Sequence, residues 1–190
     1  GDVYKRQLAM DCSMAGYLTA VPALLVIVSL WTRSKGVAIA GNIYSAIVAA
    51  VISIVFCLDI VLYGYWGFRL DMTPVFYFTT SPAAAMASAG VWMIVAGIAG
   101  CAALAMALYL VLTRLPGRIA VVPSRSVPAT VAAALLTAAL FIPIRGGVTV
   151  STMNLSRAYF SQNQRLNHAA INPMFSLMYS ATHQSDFASQ

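Results

Sequence analysis

Of 190 residues, 61% are hydrophobic and only 8% charged, with a mean hydropathy of +0.82; a soluble domain carries roughly 25% charged residues, so an ordinary soluble fold is excluded. The formal net charge of +6, from 11 basic and 5 acidic residues, reflects membrane topology and lipid contact in such a chain. Nucleic acid is excluded as a partner, because no Lys/Arg-rich run is interleaved with aromatics.

The opening GDVYKRQ, residues 1–7, has neither an initiator Met nor the pattern of a signal peptide, and it reads as a non-native lead outside the fold. Crossing about 30 Å of hydrocarbon takes about 20 apolar residues in a helix. Four stretches satisfy that requirement: span A over about 12–31, span B over about 37–63, span C over about 85–113 and span D over about 127–144. The expected fold is therefore an all-α membrane protein, a transmembrane anchor over 8–147 followed by short amphipathic extracytoplasmic helices over 148–190.

Local chemistry refines each span. Asp11 or Ser13 is expected to cap span A, and Pro22 to bend it. Small residues recur every fourth position, Ser45, Ala49 and Ser53 in span B and Ala99, Ala103 and Ala107 in span C; both stripes are expected to pack within the bundle. Span D begins with Pro128 in a first-turn position and ends near Pro143.

The A–B connection TRSKG carries Arg33 and Lys35, and the C–D connection carries Arg114, Arg118 and Arg125, which places both in the cytoplasm. The B–C connection, GYWGFRLDMTPVFYFTTSP, holds Arg69 among many aromatics and suits the outer face. Arg145, Arg157 and Arg165 fall on that same side, so charge alone favours this orientation only weakly.

Asp11, Asp59, Arg69, Asp71 and Arg145 gather near that outer face, with Tyr63, Tyr65, Trp66, Phe76 and Tyr77 forming an aromatic belt. A carboxylate in hydrocarbon is costly unless paired, so Asp59 needs a cation, either Arg69 or Arg145. The cluster reads as interfacial ion pairs and caps, or as a polar floor for a phospholipid headgroup with Arg69 or Arg145 on the phosphate. In the tail, Asn154, Asn163, Asn167 and Asn172 suit pairing with backbone in turns, and Pro173 would end one short helix and allow another. With His168, these residues form a candidate neck. Cys12, Cys57 and Cys101 read as core hydrophobes, and neither they nor His168 and His183 have metal-ligand spacing.

Three stretches together, LAMDCSMAGYLTAVPALL, DIVLYGYWGFRLDMTPVFYF with its following SP, and the tail IRGG…AYFSQNQRLNHAAINPMFSLMYS, resemble the membrane part of bacterial lipoteichoic acid synthase-like proteins. This sulfatase family belongs to the alkaline phosphatase superfamily, and the likeness is to its Gram-negative, Bacteroides-type members. It runs over nearly all of residues 8–183; its most specific parts are Tyr65 to Asp71 and Asn167 to Pro173. The resemblance implies a five-helix anchor in the bacterial cytoplasmic (inner) membrane with its C-terminus extracytoplasmic. A catalytic domain would follow, transferring a phosphoglycerol- or phosphoethanolamine-type group from a phospholipid through a metal-activated Thr. The chain departs from that pattern in having four spans and no catalytic Thr or metal set, so no catalytic residue carries over. It is expected to be a non-catalytic fragment without a cofactor, its partners being membrane phospholipids and the missing catalytic domain, where the divalent metal would sit. The rival readings are a small transporter or half-transporter, for which no inverted repeat is visible, and a non-enzymatic membrane assembly subunit.

Overall fold

The computed structural model describes residues 2–32, 34–81, 83, 90–114, 125–148 and 151–183. Among them, all regular structure is helical: Asp2–Trp31 (α1), Lys35–Trp66 (α2), Met72–Thr80 (α3), Val91–Arg114 (α4), Val127–Ala139 (α5), Phe141–Arg145 (α6), a 3-10 turn at Leu155–Ala158, Gln164–Ala169 (α7) and Pro173–Thr182 (α8). Four stretches, α1, α2, α4 and α5 with α6, are long and apolar enough to cross a membrane; they correspond to spans A to D. Arg33, Arg118 and positions 85–89 of span C lie outside the described residues.

The run IYSAIVAAVISIVF of α2 is rich in Ile and Val, which in water favour strands. In hydrocarbon each amide must bond within its own segment, and the helix achieves this whatever the side chains prefer. Ile43, Ile47, Ile98, Met106, Leu135 and Leu136 are exposed, an apolar surface of the kind a bilayer would cover.

Several sequence expectations need correction. α1 begins at Asp2, so residues 2–7 form its first turns, and no Gly or Pro interrupts DVYKRQLAMDCS. Consequently Asp11 and Ser13 lie inside α1 and cap nothing at its start. The α4 stripe of Ala99, Ala103 and Ala107 is exposed rather than packed within the chain. Ala49 and Ser53 of the α2 stripe are buried as expected.

The chain divides into two compact units. One comprises Ala9–Ala49 and Met106–Met153, and its core includes Met10, Met14, Leu30 and Val48. α1 runs unbroken through Pro22. A proline supplies no N–H to the carbonyl four residues earlier, here Leu18, and the Tyr44 hydroxyl of α2 donates to that oxygen at 2.8 Å. In the last span, Pro143 deprives Ala139 of the same bond, and the helix divides at Leu140 into α5 and α6. The terminal carbonyl of Ile144 is met by the Ser13 hydroxyl at 2.8 Å. Gly16 permits that approach, since a Cβ there would lie 2.7 Å from Ile144 Cγ1. Ser126 caps α5 by accepting from the Ala129 amide, with Pro128 in the first turn. Trp31 Nε1 donates to Thr130 Oγ1 at 2.8 Å, tying the end of α1 to the start of α5.

The second unit comprises Gly1–Leu8, Ala50–Ala105 and Asn154–Gln190. α3 packs on α8, and the Met72 amide donates to Ser180 Oγ at 3.1 Å. Arg6 donates to the Arg157 carbonyl and lies over the Phe160 ring at 4.8 Å, so the first turns of α1 contact the tail segment. Leu70, Ala158, Ala170, Ile171 and Phe175 form the buried apolar centre.

Candidate functional site

The site is built at the C-terminal end of α2 in the second unit. Gly67, at φ +73°, ends the helix and donates its amide to the Tyr63 carbonyl at 3.0 Å. That left-handed residue, which favours glycine, turns the chain so that Phe68 to Asp71 run back past the last turns. Arg69 thereby meets Asp59, ten positions earlier: its Nη1 donates to Asp59 Oδ2 at 2.5 Å. The Leu70 amide donates to Oδ1 of the same carboxylate at 2.9 Å. Asp59 is only 1% exposed, and both its oxygens are engaged, as a buried carboxylate requires.

Arg69 has a second task. Its Nε donates to the His168 carbonyl at 2.9 Å, and its guanidinium lies 5.2 Å from the centre of the Tyr63 ring. The Tyr63 hydroxyl and His168 Nδ1 are 3.4 Å apart, with the rings edge to face. One arginine therefore links the end of α2, the following loop and α7. The planar fork of arginine suits such a junction, because its donors diverge toward separate acceptors.

Asp71 caps α3, accepting from the Thr73 amide at 2.9 Å. Its charge is placed at the start of the helix. The asparagines of the tail act similarly. Asn167, buried inside α7, accepts from the Phe160 and Ser161 amides at 3.1 and 3.0 Å and donates to the Ser161 carbonyl at 2.8 Å. Asn163 caps α7, and Asn172 caps α8 with Pro173 in its first turn. Asn154 precedes the 3-10 turn and accepts from the Ser156 hydroxyl.

Of the sequence candidates, Asp59, Arg69, Asp71, Asn154, Asn167, His168, Asn172 and Pro173 fall in this unit, whereas Asp11 and Arg145 belong to the other. Arg145 ends α6, and its carbonyl accepts from the Met153 amide at 2.8 Å. The expectation that Asp59 pairs with Arg69 or Arg145 resolves to Arg69. Tyr63 was expected only as part of an aromatic belt, and its meeting with His168 had no signal in the local pattern. Among the described residues, no three His, Cys, Asp or Glu side chains converge as a metal site would require. No protein-family model matches this chain, no curated protein is detectably similar to it, and no solved structure matches it.

Proposed function

We propose that this chain is the membrane anchor of a phosphoglycerol- or phosphoethanolamine-type transferase acting on phospholipid headgroups outside the cytoplasm of a bacterium. The reading originates in the resemblance of Tyr65 to Asp71 and of Asn167 to Pro173 to lipoteichoic acid synthase-like proteins. The observation that carries it is the contact between those two segments: Arg69 from the first holds both Asp59 and the His168 carbonyl of the second. An apolar helix ending on a buried ion pair, with a capped polar segment fastened to it, is suited to hold a following domain at a fixed height above lipid. The chain's own residues supply anchoring and positioning. Metal-assisted phosphoryl transfer would belong to the domain that follows.

The test is to recover the longer gene, express it beside the 190-residue chain, and assay diacylglycerol release from a labelled phospholipid. Turnover by the longer product alone supports the proposal. Turnover by the 190-residue chain, or a natural stop codon just after Gln190, refutes it.

A further inference from the structure

A cavity of about 560 Å³ opens beside the end of α2, lined by Tyr63, Gly67, Gln164, Arg165 and His168. Among the described residues, its lining holds one permanent cation, an imidazole, a phenol and an amide, and no carboxylate. The acids nearest in sequence are occupied: Asp59 by Arg69 and the Leu70 amide, and Asp71 by the Thr73 amide. Arg69 is itself committed to Asp59 and to the His168 carbonyl, so the guanidinium available to a ligand is that of exposed Arg165. Gly67 contributes no side chain, and a Cβ there would meet no atom within 4 Å, which keeps that wall open.

The geometry points to this cavity as a binding site for a phosphate-ester anion. Arg165 supplies the charge, and the Tyr63 hydroxyl, Gln164 amide and His168 ring supply the remaining hydrogen-bonding groups. A guanidinium suits the divergent oxygens of a phosphate ester. A metal cation would be repelled by Arg165, and the described lining offers it no carboxylate. The end of α2 also carries Tyr65 and Trp66, residue types that favour the level of lipid headgroups. The inference deepens the anchor reading, and rests on it only in placing the ester on a phospholipid.

The test uses the full 190-residue protein in dodecyl maltoside micelles. Phosphatidylglycerol and diacylglycerol are titrated and bound lipid is counted by native mass spectrometry, while glycerol 3-phosphate is titrated calorimetrically. Binding of phosphatidylglycerol over diacylglycerol supports a lipid headgroup; binding of glycerol 3-phosphate supports a soluble ester at the same site. In either case R165Q should weaken binding about tenfold or more, Y63F should weaken it several-fold, and K35Q should leave it unchanged. Y63F carries the test should R165Q fail to fold. Diacylglycerol bound as tightly as phosphatidylglycerol, or folded R165Q and Y63F variants binding like the parent, would overturn the site. Because binding is read without turnover, failure of diacylglycerol release by the longer gene product would sink the transferase reading alone.

Discussion

The Asp59 carboxylate accepts from Arg69 and from the Leu70 amide while almost fully buried, so removing either charge should leave the other exposed to a poorly solvating environment. Arg69 retains about a quarter of its side-chain exposure, which moderates the loss. D59N and R69Q should each lower stability in detergent by about 2–4 kcal/mol, and the double variant should cost less than the sum of the two. A thermal-unfolding double-mutant cycle measures the coupling, expected at about 1–3 kcal/mol; additive losses would count against the pair. R69K should fall between parent and R69Q, since an ammonium keeps the charge but loses the fork that also reaches the His168 carbonyl. Asn167 acts through hydrogen bonds instead of charge. N167A removes two acceptor contacts and one donor contact, so the Phe160 and Ser161 amides should exchange with solvent at least tenfold faster, while amides in the middle of α4 keep the parent rate.

At the scale of elements, two of the contacts that join α1 to its neighbours each support a test whose sign is set by surroundings. Y44F should cost about 1–2 kcal/mol because the Leu18 carbonyl loses its donor. In a P22A background that loss should shrink, since the substituted residue restores the missing N–H; equal losses in both backgrounds would show that Tyr44 acts otherwise. Replacing glycine by alanine inside a helix ordinarily gains roughly 0.5–1 kcal/mol, and G100A in open space on α4 should follow that rule. G16A should be destabilising, because the added Cβ would press on Ile144 Cγ1 at 2.7 Å and approach the Leu140 carbonyl. Thermal unfolding of the two variants should therefore shift in opposite directions. These cases mark where sequence reading succeeded and failed. Long apolar runs made the four spans legible, and turn chemistry marked Asn163 and Asn172 for backbone pairing without showing that each opens a helix. The start of α1 has no hydrophobic signal, because Asp2, Lys5 and Arg6 break the apolar pattern while remaining compatible with a helix. The Tyr44–Leu18 and Ser13–Ile144 contacts were invisible for another reason: an orphaned carbonyl announces its need locally, while its donor comes from a distant helix whose register no period specifies. The cavity beside His168 likewise depends on residues about a hundred positions apart.

For the whole molecule, the side of the membrane reached by each loop is the property on which the functional proposal depends. Positive charge governs short loops most strongly, while long segments translocate largely regardless of their charge. Arg33 and Lys35 between α1 and α2, with Arg114, Arg118 and Arg125 between α4 and α5, stand against Arg69, Arg145, Arg157 and Arg165 on the other side, a weak bias of five cations to four. The short loop after α2 carries Arg69 alone. The proposed anchor requires the α1–α2 and α4–α5 connections to face the cytoplasm, and the loop after α2 to share the outer face with the tail fastened to it through Arg69 and His168. Single cysteines at Ser34 and at exposed Gln162, in a background lacking Cys12, Cys57 and Cys101, would report this in intact spheroplasts treated with an impermeant maleimide. Gln162 is preferable to Ser161, whose backbone is held by Asn167. Labelling at 162 with protection at 34 is the expected outcome. The reverse pattern would put the cavity and the tail in the cytoplasm, where a domain following them could not reach headgroups of the outer leaflet, and the anchor reading would fall with the topology.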